Sequence, residues 1–286
     1  MSGFRTRFAP SPTGYLHLGH AYSALKARDL ALATNGAFLL RLEDLDLSRV
    51  RSEFELAIYE DLQWLGLQWP EPVLRQSDHT DRYAQALERL TELGVTYPCS
   101  CTRSAIRASL SAPHRDANAS ALPFGAPYPG TCRGRSMADM RRGDAVRLDL
   151  KRAIQRIGSV PLLFTETGPA HSGQHSVDPT ALIASFGDVV LGRKDTGLAA
   201  YHLAVVVDDA FQKISHVVRG ADLWEVTPLH RLLQSLLELP VPIWHHHQLV
   251  LDENGKRLAK RDAARALRML RAEGATPSDI RQRLGI

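Results

Sequence analysis

The sequence has little to tie it to a membrane or to an oxidising compartment. In its 286 residues no apolar run approaches the roughly 20 residues that cross a bilayer. Its first residues also lack the charged and apolar regions of a secretory leader. Three cysteines are too few for a disulfide framework, and a reducing compartment keeps such thiols free. These absences lead us to expect a cytoplasmic protein with no membrane contact. Charge imbalance is also missing from most of the chain. The net charge is +4, and from Asp252 onward nine Lys and Arg stand against five Asp and Glu, so the body balances. A basic tail on a neutral body points to a polyanion partner, or to a solvated helix face at Arg261, Arg265 and Arg268. There is no internal repeat. The length suits one large α/β domain with an insertion, or two modest domains.

The most informative stretch runs from Arg5 to Asn35, R-T-R-F-A-P-S-P-T-G-Y-L-H-L-G-H and the residues after it. Phe4, Thr6 and Phe8 alternate with Arg5 and Arg7, the pattern of a short strand. Pro10, Pro12 and Gly14 enforce a stiff turn. Leu18, Ala21, Leu25 and Leu32 then mark one face of a helix ended by Asn35-Gly36. His17 and His20 fall three apart at that helix's N-terminus, and Gly19 between them leaves room for a flat ligand. A helix N-terminus with two imidazoles is suited to a phosphate, since its N–H groups and dipole favour anions. A buried histidine pair that only starts the helix is the alternative.

Further along, Phe38–Glu43 reads as a strand that places Glu43, Asp44 and Asp46 at its carboxyl end, where open α/β sheets bind ligands. Ser52-Glu-Phe-Glu55 has the form of a capping box, followed by a helix face on Phe54, Ile58, Leu62 and Leu65. Another helix carries Tyr83, Leu87 and Leu90 and stops at Gly94. Alternating strands and helices predict a parallel, doubly wound sheet. Thr96–Thr102 is a candidate strand carrying Cys99 and Cys101. Residues 103–127 read as a long loop, Asp144–Leu150 as a strand and Thr165–Pro179 as loop. Asp188–Leu191 opens a second half, with a strand ending at Arg219-Gly220. Thr227 is expected to cap a helix with Pro228 at its first position and Leu229, Leu232, Leu233 and Leu236 on its face. Gln248–Leu251 is expected as the last strand.

Phe8–His20 resembles the first signature of the class I aminoacyl-tRNA synthetases, in the form used by the glutamyl and glutaminyl enzymes. R-L-E-D-L-D, Y-H-L-A-V-V-V-D-D, H-V-V-R-G-A-D-L and G-K-R-L-A-K-R follow in the order of the glutamyl catalytic core. The resemblance thus covers nearly the whole chain, and is nearest to short glutamyl paralogues without an anticodon-binding domain. It implies a Rossmann-like α/β core in two halves, 1–94 and 187–251, around an insertion at 95–186, with a signature loop and basic helical tail at 252–286. It implies a glutamate site at Arg7, Phe8, Ala9, Pro10, Ser11, Glu43, Tyr201 and Arg219. An arginine fork suits the side-chain carboxylate, and Glu43 suits the ammonium group. His17, Gly19, His20 and Lys260 would hold ATP, supplied with Mg2+, and His17, His20 and Lys260 would serve its chemistry. Arg257 and Ala259 depart from the second signature, which puts the grip of that loop on ATP in question.

Cys99-x-Cys101 and Tyr128-x-x-x-Cys132 supply three thiolates and an oxygen, a set for one tetrahedral zinc. The resemblance implies Tyr128 as fourth ligand; the spacing alone leaves His114, His171 and His175 as rivals, and three unrelated buried cysteines as the other reading. His245-His-His247 reads as structural, because neighbours on a strand point to opposite faces. The expected activity is that of an ATP-dependent ligase working as a monomer. It would form glutamyl-adenylate and transfer glutamate to queuosine, the modified wobble base of tRNA(Asp). A truncated glutamyl-tRNA synthetase and an inactive RNA-binding paralogue are the other expectations. Only about 26 residues follow Lys260, too few for an anticodon-binding domain.

Overall fold

Residues 3–102, 104–106, 127–251 and 265–286 are described by the structure, a computed structural model. Lys260, Arg257, Ala259, Arg261, His114 and most of the loop 103–127 lie outside these residues.

β1 (Arg5–Phe8), β2 (Ala37–Leu42) and β3 (Leu74–Arg75) pair in parallel, with α1 (Leu18–Ala33) and α2 (Ser52–Trp64) as crossovers. α3 (Thr80–Glu92) leads to β4 (Thr96–Cys99), which forms a separate antiparallel sheet with β5 (Ala145–Leu148) and β8 (Val190–Gly192). α4 (Leu150–Ile157) follows β5. β6 (Leu163–Glu166) and β7 (Gly173–Ser176) form a hairpin, then come α5 (Pro179–Phe186) and, after β8, α6 (Tyr201–Phe211). β9 (His216–Gly220), α7 (Thr227–Leu236) and β10 (Ile243–His247) complete the second half, and α8 (Leu267–Ala272) and α9 (Pro277–Leu284) the tail. β9 and β6 flank β10, all parallel. The two parallel blocks meet where Ser215 N–H donates to the Arg5 carbonyl at 3.0 Å and Arg5 N–H to Ser215 Oγ at 2.8 Å. The expected parallel α/β sheet with helices is present.

Several local expectations are corrected. The buried stripe of α1 runs through Ala21, Ala24, Ala27 and Ala31, small residues that let the helix lie close to the sheet; Leu32, one position round from Ala31, is exposed. Ser52 is already inside α2. Its N-cap is Arg51, whose N–H is tied to the Pro12 carbonyl, so the capping box does not form. Thr227 is likewise helical, because a 3-10 turn over Ala221–Val226 runs straight into α7 and supplies the acceptor for its N–H. The four leucines of α7 are buried as expected, each worth about 1.5–3 kcal/mol. Thr165–Pro179 holds β7 and part of β6, and β6 joins the core sheet through β10. Among the described residues the last strand is Ile243–His247, not Gln248–Leu251. Parallel pairing on both sides buries Trp244 and His246, so histidines occupy positions the hydrophobic pattern assigns to aliphatic residues.

Candidate active site

A cavity of about 460 Å³ opens at the carboxyl ends of β1, β9 and β10, facing the start of α1. Arg7 to Ser11, His17, Gly19, His20, Glu43, Tyr201 and Arg219 all line it, as do Asp222, His247, Leu249 and Val250. Every described residue of the expected glutamate and ATP sites is therefore in one place.

Arg7 forms a two-point ion pair with Asp209, Nε to Oδ1 at 2.8 Å and Nη2 to Oδ2 at 3.2 Å. Arg41, fully buried, donates to the same Asp209 Oδ1 at 2.7 Å and to Glu43 Oε1 at 3.1 Å. Burial alone would raise the Asp209 carboxyl, yet Arg7 and Arg41 outweigh it and hold Asp209 below the usual range. At Glu43 burial wins over Arg41 and Arg7 and pushes the carboxyl up. Arg41 and Asp209 are functional neighbours that sequence reasoning missed; two adjacent acids on the apolar helix α6 were the available signal.

Arg219 is held differently. Its Nε–H donates to His246 Nε2 at 3.0 Å, Nη1 faces His230 Nδ1 at 3.2 Å, and Nη2 donates to the Leu223 carbonyl at 3.1 Å and Thr227 Oγ1 at 2.8 Å. Thr227, expected as a helix cap, thus serves Arg219 instead. Among the described residues no carboxylate forms an ion pair with this buried guanidinium. Behind it, His246 Nδ1 meets Glu166 Oε2 at 2.5 Å, and His247 Nε2 lies 2.7 Å from Ser23 Oγ. The His245–His247 run, read as structural, accordingly contributes one residue to the cavity wall and one to the support of Arg219.

At the start of α1, Gly19 N–H donates to His17 Nδ1 at 3.1 Å and His17 N–H to His20 Nδ1 at 3.2 Å. The imidazoles therefore cap the helix themselves, so two of the N–H groups expected to meet an anion are already engaged. Because each Nδ1 accepts, the proton of each neutral ring resides on Nε2. A Cβ at residue 19 would sit 3.0 Å from His17 Cε1, so glycine keeps the rings in this arrangement.

A family model for class I tRNA synthetases (E and Q), catalytic domain, matches residues 3–147 and 172–285. This chain belongs to that family. The Glutamyl-Q tRNA(Asp) synthetase of Rhodobacter capsulatus is 50% identical over 281 residues, which are 98% of this chain and 99% of that protein. The glutamate–tRNA ligase of Aquifex aeolicus is 37% identical over 284 residues, 98% of this chain but 56% of that protein. Among solved structures, a glutamate-tRNA synthetase from Elizabethkingia anophelis superposes with a TM-score of 0.70 at 28% identity, covering 91% of this chain and 53% of that one. The fold is thus the class I synthetase α/β fold.

Away from the cavity, the sulfurs of Cys99, Cys101 and Cys132 lie within 4.8 Å of one another. The Tyr128 hydroxyl is 3.4 Å from Cys99 Sγ and 3.3 Å from Cys101 Sγ, and accepts the Cys132 N–H at 3.0 Å. Cys101 and Cys132 sulfurs are 3.6 Å apart, close to the about 3.8 Å that tetrahedral Zn–S bonds of about 2.3 Å impose. Burial alone would raise the Cys132 thiol, but hydrogen bonds, first that with Tyr128, bring it down to about 6, and a thiolate is the form that ligates metal. The three sulfurs could hold a metal ion such as zinc, and the Tyr128 hydroxyl lies beside them. His171 stacks on Trp224 and His175 on Phe164, in contacts separate from the cysteines.

Proposed function

We propose that this chain is a ligase that activates L-glutamate with ATP and transfers it to the queuosine base at the wobble position of tRNA(Asp). The observation that carries the reading is Arg219: a buried guanidinium lining the cavity, with no carboxylate among the described residues paired to it. A substrate carboxylate supplies the missing charge, while Glu43, on the same cavity wall, receives the ammonium group. The near end-to-end match to a Glutamyl-Q tRNA(Asp) synthetase supports the acceptor. In the first step a glutamate α-carboxylate oxygen attacks the α-phosphorus of ATP, which arrives with Mg2+, and pyrophosphate leaves. We assign the Nε2–H groups of His17 and His20 to the phosphates, with Lys260 of the second signature opposite them. In the second step a hydroxyl of the queuosine cis-diol attacks the acyl carbon and AMP leaves.

We read Cys99, Cys101, Cys132 and Tyr128 as the ligands of one structural zinc, which would brace the β4 end of the inserted unit. We also retain the division into core halves 1–94 and 187–251, an insertion at 95–186 and a signature loop with tail at 252–286. The active unit is read as a monomer, since one chain supplies all the cavity residues named here. The test is transfer of labelled glutamate to tRNA(Asp) with and without queuosine, and to tRNA(Glu). Labelling of only the queuosine-bearing tRNA(Asp) is expected; equal labelling of both tRNA(Asp) forms, or of tRNA(Glu) alone, overturns the assignment.

A further inference from the structure

We propose that His230, His246 and Glu166 are positioning residues that hold Arg219 in the cavity wall on neutral acceptors, with no carboxylate of the described residues paired to it, so that the site selects a carboxylate over a carboxamide of the same length. This rests on the glutamate reading above and extends it to three residues outside the substrate's reach.

An arginine carries five N–H donors and no acceptor. Each imidazole nitrogen facing Arg219 must therefore be unprotonated, which fixes both rings. His246 accepts through Nε2 and carries its proton on Nδ1, aimed at Glu166 Oε2 at 2.5 Å. The other Glu166 oxygen accepts the N–H groups of His246 at 2.8 Å and Gly168 at 2.5 Å. His230 accepts through Nδ1 and carries its proton on Nε2, toward His202 Nδ1 at 3.2 Å. With Leu223 and Thr227 these contacts occupy four of the five donors, all with neutral acceptors.

The comparison with Arg7 gives the arrangement its meaning. Arg7 faces Asp209 at two points and so is paired directly with a carboxylate. Around Arg219 the direct partners are instead imidazoles and neutral oxygens; the Asp209 and Asp222 carboxylates act on its charge without pairing with it, and Glu166 acts one ring further back, orienting His246. Burial first, and then the charge of Arg219, keep His230 well below its ordinary range, so it stays an acceptor at neutral pH. The turn behind His246 is closed tightly: a Cβ at Gly168 would lie 2.2 Å from the His246 carbonyl oxygen. A carboxylate ligand completes the arginine, whereas a carboxamide leaves a buried cation unpaired, a large penalty.

The test compares His230→Asn with His230→Asp, substitutions of nearly equal size that differ in charge, by ATP–pyrophosphate exchange with glutamate and with glutamine. His230→Asp is expected to raise the KM for glutamate about 100-fold beyond His230→Asn, and to shrink the preference for glutamate over glutamine about tenfold. The KM for ATP should stay level across the pair. A second pair, His246→Gln and His246→Leu, should show recovery by glutamine, whose amide oxygen can accept from Arg219 while its N–H donates to Glu166. Equal behaviour of Asn and Asp at 230 overturns the proposal. Should the variants fail to fold, 15N spectra of the imidazoles in the unmodified protein decide it. His246 protonated on Nδ1 and His230 on Nε2 are expected, and the opposite tautomer of either overturns the network. Wild-type protein that exchanges pyrophosphate with no amino acid overturns the glutamate reading instead, and the tautomers then judge the network alone.

Discussion

At Asp209 one carboxylate answers two guanidiniums, those of Arg7 and Arg41, at 2.8 and 2.7 Å. Removing half of that acceptor strands buried positive charge, and breaking a buried pair from one side costs about 3–5 kcal/mol. Asp209→Asn is therefore expected to lower stability by about that much, read from urea unfolding; an unchanged midpoint would show that the pair contributes nothing net. Arg7, Glu43 and Arg219 are legible in the sequence because each stands inside a short signature. Asp209 and Arg41 stand inside such stretches too, but their pairing is not legible there, since their contacts bridge 202 and 168 positions. The same distance hides His246, 80 positions from Glu166. A signature names the residues that meet the ligand, and chain folding chooses those that hold them.

Among the elements, β10 is one the hydrophobic pattern places wrongly. Q-L-V-L looks like a strand and W-H-H-H does not, yet pairing with both β6 and β9 selects the latter. Burying the imidazoles around Arg219 has a cost that acid should reveal. His202 is pushed down to about 4 by burial and by Arg219 from an ordinary 6.5. The unfolded chain thus takes up a proton first, and stability present above about pH 6.5 drains as pH falls toward 4. At Glu166 burial would raise the carboxyl, but hydrogen bonds with His246 and Gly168 bring it from 4.5 to about 2. Its contribution is present above about pH 4.5 and is lost on descending toward pH 2. Melting temperature should accordingly fall steadily from pH 7 to 4, and His202→Gln should flatten the upper part of that decline. The cysteine cluster behaves differently, because Cys99-x-Cys101 and Tyr128-x-x-x-Cys132 are local spacings and hence visible before folding. As-purified protein is expected to carry about one zinc per chain. Cys132→Ser should lose it and Tyr128→Phe should bind it more weakly, both measured by elemental analysis with competing chelator. Metal-free wild-type protein would end that reading.

In the whole molecule, the described part of the basic tail, residues 265–286, is tied to the body through Arg271 and Arg281. Arg265 pairs with Glu273, Arg271 with Glu60 at 3.0 Å and Arg281 with Asp29 at 2.9 Å, while Arg268 lies over the Tyr15 ring at 4.4 Å. The net charge read from the sequence suggested a polyanion contact or a solvated face at Arg261, Arg265 and Arg268; Arg265 and Arg268 are exposed, and Arg261 lies outside the described residues. Leu267, Leu270 and Ile280 are buried in the same cluster as Phe8, Leu16, Ala21 and Leu25. Leu267 N–H reaches the Leu16 carbonyl at 2.8 Å, and Ala266 bridges to His17. Ending the chain at residue 276 is therefore expected to lower the melting temperature by several degrees and depress pyrophosphate exchange, although no residue of α9 lines the cavity; calorimetry and exchange on the shortened chain check both. The Arg281–Asp29 contact spans 252 positions, which gives this packing a meaning in time. During synthesis α1 and its two histidines emerge early and present an open apolar side until α8 and α9 are made. The cavity wall at α1 is thus among the first parts translated and among the last to be completed, so a nascent chain caught before residue 266 should remain open to protease at α1.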